Sequence, residues 1–201
     1  MEIKQLEREV YAGKKFTARY QTKGYYDIVP WEYGFRMEYR RFDETTERSF
    51  DDEMFGEWLE DPVAFGAFEN GALIGFVEGS MENWNNRFRI SNICVFDHEQ
   101  RSGGVGTALM ETIEAVAKAD GARMVVLETQ SCNENAIGFY RKCGFEMIGF
   151  DLYAYSNHDP QRHEVRVEMG KRIRNFDMRI VPAKKSSMIF PTFFRVLRLS
   201  S

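Results

Sequence analysis

The sequence is short of the residues that staple, chelate or cross a bilayer. Among its 201 residues are three cysteines, Cys94, Cys132 and Cys143, an odd number at spacings that suit no metal. That excludes a disulfide framework and points to reduced thiols in a cytoplasmic protein. The three histidines, His98, His158 and His163, are too scattered for a zinc site, so no metal is expected. No apolar run reaches the length of a membrane span, and the opening Met1 to Glu7 lacks the apolar segment of a signal peptide. No membrane partner is expected on that ground. Surplus positive charge is missing too: 27 Lys and Arg stand against 31 Asp and Glu, a net charge of −4. Such a balance argues against general nucleic-acid affinity, so no nucleic-acid partner is expected either. What remains is a globular composition, 43% hydrophobic and 14% aromatic, long enough for one domain with a real core.

One stretch organises the rest. Gln100-Arg101-Ser102-Gly103-Gly104-Val105-Gly106 is a glycine-rich turn between an apolar run and an amphipathic one. Beyond it, Val105, Ala108, Leu109, Thr112, Ile113 and Val116 share one helical face. Thr107, Glu111, Glu114 and Lys118 share the other, and Gly121 supplies the stop. The spacing predicts a strand, a glycine-rich loop and a helix N-terminus. Such an end carries unpaired N–H groups and partial positive charge, which suit a phosphate or diphosphate. Glycines let the backbone approach that anion with no Cβ in the way. Two familiar phosphate loops are excluded. Gly106 is followed by Thr107 and Ala108, so the lysine of a Walker loop is missing. Gly103, Gly104 and Gly106 do not match the G-x-G-x-x-G spacing of a dinucleotide fingerprint. The pattern left is Arg101-x-x-Gly104-x-Gly106, which by itself is often only a turn.

A second motif changes its weight. Leu127-Glu128-Thr129-Gln130 closes a strand, and Asn133-x-x-Ala136-x-x-Phe139-Tyr140-x-x-x-Gly144-Phe145 follows. The arginine–glycine loop followed by this pattern resembles the GNAT family of acetyl-CoA-dependent N-acetyltransferases, over roughly residues 60 to 170. Asn83-Trp84-Asn85, Leu127 to Gln130 and Tyr155-Ser156-Asn157 are similar to its streptothricin-acetyltransferase branch. The resemblance implies an α/β (α+β) fold, a mixed and mostly antiparallel sheet of about seven strands, splayed in the middle with helices on both faces. It also implies acetyl-CoA as co-substrate and a primary amine of a small molecule as acceptor, a streptothricin-like antibiotic among the options. Transfer would then occur by direct attack in a ternary complex. A non-catalytic acyl-CoA sensor and an acetyltransferase of protein or peptide amines are the alternatives, and a homodimer stays open. The expected division is one domain over 1–173, with 1–62 as a variable acceptor-side segment and 63–170 as the acetyl-CoA core. A basic, aromatic tail over 174–201 follows, read as an appended element, with a membrane or RNA contact as its weaker alternative.

Along the chain, Phe16, Ala18 and Tyr20 alternate with polar residues as in a strand, and so do Phe35, Met37 and Tyr39. Tyr25 to Pro30 reads as extended or as a loop. Residues 43–61 are acidic and read as a helix. Asp51, Asp52 and Glu53 would lie in its first turn, Met54, Phe55, Trp58 and Leu59 would form its apolar stripe, and Pro62 would end it. Ala64 to Phe68 and Leu73 to Glu78 read as a hairpin, and Arg89 to Val95 as the next strand after Asn83 to Asn86. Arg123 to Thr129 has the continuous apolar middle of a strand buried on both faces. Asn135 to Cys143 reads as a second helix, with Phe145 to Tyr155 and His163 to Met169 as the last two strands.

The resemblance also assigns roles. Amides around Ser102, Gly103, Gly104, Val105, Gly106 and Thr107 would hold the diphosphate, with Arg101 adding charge. The backbone of Ile93, Cys94 and Val95 would pair with the pantetheine arm like an added strand, and one of its N–H groups could hold the thioester oxygen. Asn133 would bond the pantetheine amide, with Ala136 and Phe139 in the same motif. Tyr140 would be the general acid beside the sulfur, since a phenol titrating near pH ~10 is protonated at neutrality. Its other reading is a half-buried tyrosine capping the sheet. Glu78 and Glu128, both at strand ends, are the candidate bases. Either could equally sit in a structural ion pair, and a water chain without a dedicated carboxylate is the third option. The acidic pair of the streptothricin branch is replaced here by Ser91-Asn92. Trp84, Asn92, Tyr26 and Trp31 are the acceptor-side candidates, with ordinary core or sheet-face packing as the alternative for each aromatic.

Overall fold

The computed structural model describes residues 1–96 and 103–173. In chain order the elements are β1 (Glu2–Gln5), α1 (Arg8–Tyr11), β2 (Lys15–Trp31), β3 (Gly34–Glu53), β4 (Val63–Glu69) and β5 (Ala72–Glu82). They continue with β6 (Arg87–Val95), α2 (Val105–Ala119), β7 (Met124–Gln130), α3 (Glu134–Lys142), β8 (Glu146–Asp151), α4 (Asp159–Arg162) and β9 (Arg166–Arg172). Seven strands form one sheet in the order β1-β4-β5-β6-β7-β9-β8, and β2 and β3 form a separate two-stranded ribbon. Every pairing in the large sheet is antiparallel except that of β6 with β7. Helix α2 crosses between those two parallel strands, the connection such a pair requires.

The sheet carries a hydrophobic cluster on each face. On one face, Leu109, Ile113 and Ala117 of α2 and Ile137 and Tyr140 of α3 pack with Val77, Phe88, Ile90 and Leu127. On the other, Leu6, Met54 and Phe55 cover Ala64, Phe76 and Cys94, and Tyr11 of the one-turn α1 joins them. The stripe of α2 lies slightly to one side of the face read from the sequence. Val105, Leu109, Met110, Ile113 and Ala117 are buried, each large side chain stabilising the fold by roughly 1.5–3 kcal/mol.

Two sequence readings are corrected. Residues 43–61 are not helical: β3 runs on to Glu53, and a turn follows. Asp51, Asp52 and Glu53 stand opposite Thr17, Phe16 and Lys15 of β2, and the Thr17 hydroxyl donates to Asp51 at 2.6 Å. Cross-strand partners outweigh the local preference of an acidic run for a helix N-terminus. Met54, Phe55 and Leu59 are buried, but Trp58 is exposed, and Phe55 has φ +55°. A helix could not present those side chains that way. Of the last two strands, the first is shorter than read, ending at Asp151, and the second is shifted along the chain to Arg166–Arg172. Between them, buried Asp159 accepts from the Ser156 hydroxyl and the Tyr155 amide and so organises a turn and α4. Asn, Asp and Ser side chains offering such local bonds compete with ladder formation. Tyr25 to Pro30 is extended, as part of β2. The tail over 174–201 lies outside the described residues.

Candidate active site: a split between two parallel strands

The sheet opens where β6 meets β7. Their pairing covers only Arg87↔Met124, Phe88↔Val125 and Arg89↔Val126. Past it, Ile90 to Asn92 and Leu127 to Gln130 share no pairing. The opening coincides with a β-bulge. Glu78 of β5 faces Asn92 and Gly79 faces Ile90, so Ser91 is the extra residue. A Cβ at Gly79 would collide with the Arg89 carbonyl and the Phe88 ring, which is why a glycine stands opposite the bulge. The bulge also switches faces: Phe88 and Ile90 belong to the α2-side core, Cys94 to the opposite cluster, and Asn92 faces the same way as Cys94.

At the far end of β6 the chain reaches α2. Gly104 is its N-cap residue at φ +80°, a conformation that glycine adopts without strain, and among the described residues no side chain caps the helix. The opening amides of α2 are therefore available to an anion. Gly106 allows close contact with α3, since a Cβ there would sit 3.3 Å from the Phe139 ring and 3.9 Å from Val95. Gly103 and Thr107 are exposed beside it. Arg101 and Ser102 lie outside the described residues. Ile93 and Val95 are half-buried and Cys94 is buried on the stretch of β6 that leads to this helix end.

From the β7 side comes α3. Asn133 caps it, its side-chain oxygen accepting from the Ala136 amide at 3.2 Å. Its amide group has no partner among the described residues. Tyr140 is 8% exposed, its ring against Phe139 and Phe145, and its hydroxyl has no hydrogen-bond partner among the described residues. Burial pushes its phenol well up, with the Cys94 and Cys143 thiols adding to the rise. The group is thus a proton donor at any working pH, and it neighbours Cys94 on the edge of the split.

The ribbon of β2 and β3 spans the split. Near its base Phe16 meets Phe76 of β5 edge to face at 4.9 Å. Further along, the Tyr20 hydroxyl donates to Gln130 at the end of β7, and the Tyr26 amide donates to the Ser131 carbonyl at 3.0 Å. Tyr26 then packs on α3, with its hydroxyl accepting from Arg141 at 3.0 Å. Trp31, 61% exposed, lies at the ribbon tip under the Arg36 guanidinium. Trp84, 83% exposed, is in the β5–β6 turn. At ~3.3 Å per residue that turn is on the order of 15 Å from the bulge, so the fold does not bring Trp84 to the split.

The two candidate bases differ in setting. Glu78 is fully buried beside the bulge. Its two oxygens accept from the Asn92 side chain and the Phe55 amide, each at 2.8 Å. Burial pushes its pKa above the usual carboxylate value, opposed by those two bonds, and nearby Asp52 raises it further. Glu128 is held on the sheet surface at 3.5 Å from Arg166 and 3.9 Å from Arg89, and accepts from the Tyr155 hydroxyl at 3.4 Å. One residue was missed in the sequence. Asp52 reaches the bulge and accepts from the same Asn92 amide at 3.0 Å. No periodic signal marked it: Thr46, Arg48, Phe50 and Asp52 alternate with Glu47, Ser49 and Asp51 without an apolar–polar period.

The acetyltransferase (GNAT) family model matches residues 28–145, more than half of the chain. The chain belongs to that family. This GNAT chain is 34% identical over 105 residues to a streptothricin acetyltransferase of Escherichia coli, covering 52% of the chain and 59% of that relative. The match thus spans less than two-thirds of the relative's length. The fold is shared over more. A nourseothricin acetyltransferase crystal structure superposes with a TM-score of 0.68 at 26% identity, over 85% of this chain and 97% of that one. A Bacillus anthracis str. Ames protein assigned as a streptothricin acetyltransferase, in complex with acetyl coenzyme A, gives 0.64 at 25% identity, over 86% and 97%. The mixed seven-stranded sheet, split in its middle, is the fold the motifs implied. Among the described residues no group of three or more His, Cys, Asp or Glu could hold a metal, and no helix is long and apolar enough to cross a membrane.

Proposed function

We propose that this protein is an acetyl-CoA-dependent N-acetyltransferase of a small-molecule primary amine, of the streptothricin type. One observation carries the reading. The β6–β7 pairing stops at the bulge, and an uncapped helix N-terminus and an unpartnered buried phenol meet at the gap it leaves. The nourseothricin acetyltransferase and the Bacillus anthracis protein, which share this fold over nearly their whole length, and the Escherichia coli streptothricin acetyltransferase support the acceptor class.

The thioester of acetyl-CoA supplies the acetyl group; the chain does the rest. Amides of Gly104, Val105, Gly106 and Thr107 bind the diphosphate through the helix field, with Arg101, Ser102 and Gly103 as their loop. The β6 backbone at Ile93, Cys94 and Val95 takes the pantetheine arm as an added strand, and the Asn133 amide and the Ala136–Phe139 face line its other side. Tyr140 gives its proton to the departing sulfur. Tyr26 and Asn92 face the acceptor, while Trp31 would act only through the ribbon tip. Glu78 and Asn92 set the charge at the bulge, and Glu128 serves the sheet's ion-pair network. The ribbon acts as the acceptor-side part of one domain over 1–173. Three cysteines, none of them in a disulfide, support a cytoplasmic setting.

Titration calorimetry with acetyl-CoA, followed by mass-spectrometric detection of acetylated streptothricin, tests the proposal. Binding together with a product heavier by one acetyl group supports it. Binding without transfer to streptothricin or to any amine of a panel would turn the reading into an acyl-CoA sensor. Transfer to peptide amines alone would move it to protein acetylation.

A further inference from the structure

We propose that Asp52 is the residue that receives the acceptor's ammonium group, so that the substrate is taken up as a cation directly over the bulge of β6. The inference rests on the acetyltransferase reading and adds the charge of its substrate. It begins with a shared hydrogen bond. One Asn92 side-chain nitrogen donates to Glu78 at 2.8 Å and to Asp52 at 3.0 Å, so two carboxylates converge on a single neutral amide. Neither forms an ion pair within 4.0 Å among the described residues. Other shielded carboxylates of this fold do find cations: Glu82 has Arg87 and Arg89, Glu114 has Lys171, and Glu164 has Arg48. Two adjacent negative groups at the edge of a core with no counter-charge are costly, and a bound cation removes the cost.

The pair divides its work by exposure. Glu78 is fully buried, with both oxygens engaged, and cannot touch a substrate. Asp52 is only half-buried near the end of β3, opposite Phe16 at the base of the ribbon, where its side chain reaches Asn92 of the bulge. Its Oδ1 accepts from the Glu53 amide at 2.8 Å and its Oδ2 from Asn92, which leaves lone pairs on both oxygens. An independent observation points to the same place. Tyr140, 8% exposed and with its hydroxyl unpartnered among the described residues, packs in the core on the opposite face of the sheet, and its phenol feels the Cys94 thiol, the neighbour of Asn92 on the Asp52 face. A phenol for the leaving group and a carboxylate for the entering one thus approach the split from its two faces. Glu128, on the other lip, is engaged by Arg89 and Arg166 and is not available for that task.

The test compares wild-type protein with Asp52→Asn and Asp52→Glu, using streptothricin and spermidine as cationic acceptors and hydroxylamine as one that is uncharged at neutral pH. Asn removes the charge and keeps one acceptor oxygen where Asp52 uses two, for Glu53 and Asn92. For Asp52→Asn, KM for both cations should rise roughly 10- to 100-fold, the worth of a charge-assisted hydrogen bond. KM for acetyl-CoA should stay within about twofold and turnover of hydroxylamine within about threefold of wild type, while Asp52→Glu recovers most of the loss. Equal losses for hydroxylamine and the cations, an unchanged KM for the cations, or a wild type that acetylates only the uncharged acceptor would each overturn the proposal. A wild type that binds no acetyl-CoA in the calorimeter would instead sink the acetyltransferase reading on which it rests. Should Asp52→Asn melt early, Asp52→Ser, which also removes the charge and keeps a hydroxyl acceptor, is read against the same two acceptor classes with the same outcomes.

Discussion

Glu78 and Glu82 leave the same strand four residues apart, one at the bulge in the middle of the β5–β6 pairing and the other at its hairpin end. At the hairpin end, Glu82 accepts from Arg87 at 2.9 Å, Arg89 at 2.5 Å and Asn85 at 3.2 Å. Burial pushes its carboxyl up, but Arg89 and the further bonds outweigh that and hold it below the usual range. Arg89 continues to Glu168 at 2.7 Å, tying β6 to β9 across the parallel junction. At the bulge, Glu78 has an amide and a backbone N–H but no cation, and burial prevails. The hairpin end of the strand pair is electrostatically complete and holds the sheet together. The bulge is left incomplete where the sheet splits, and incompleteness beside an opening is what a binding site requires.

Substitutions should therefore separate into activity effects at the bulge and stability effects at the hairpin. The largest is expected for Tyr140→Phe, which removes the proton donor. Its kcat should fall on the order of 100-fold or more, about 2.7 kcal/mol of barrier, with acetyl-CoA affinity in calorimetry nearly unchanged. Arg89→Ala leaves Glu82 and Glu168 without their shared cation. It should cost about 2 kcal/mol in urea unfolding at pH 7, while turnover per folded molecule holds better than in Tyr140→Phe. Loss of turnover as severe as with the phenol variant would erase the distinction between bulge and hairpin.

A pair of glutamine variants sharpens the contrast by pH. Glu82→Gln should cost about 1 kcal/mol at neutral pH. Because the folded carboxyl titrates low, that stability is present above its ordinary value of 4.5 and is lost as the pH falls through the lowered one. Glu78 should behave in the opposite sense. Its folded form holds the proton more tightly, so wild type's margin over Glu78→Gln is fullest below 4.5 and shrinks as the pH rises through the raised value. Thermal melts across pH 3.5 to 7.5 would read both slopes, and parallel slopes would refute the contrast. The smallest effect is expected for Glu128→Gln, within about 0.5 kcal/mol, since its 36% exposed side chain is screened by water.

Much of the core was legible in the residues themselves. The α2 pattern from Val105 to Val116, the Asn133 to Gly144 run and the hairpin around Asn70-Gly71 each obey a local rule of period, cap or turn, and each formed where that rule put it. Asp51 to Glu53 obeyed a local rule too, but their strand partners lie some thirty-five residues away in β2, beyond the reach of any window of sequence. The same limit applied to the candidate carboxylates. Whether Glu78 or Glu128 is an ion pair depends on where Arg89 and Arg166 end up, and only packing decides that.

By itself, then, the chain's order of residues determined its family, the helix that begins at Val105 and the second helix that carries Tyr140, because these depend on neighbours a few residues apart. The tertiary structure alone decided that the acidic stretch would be a strand, that β6 and β7 would part at Ser91, and that Asp52 and Glu78 would share one amide. Those outcomes depend on contacts between distant segments, whose energies exceed local preference and leave no period in the sequence to be read.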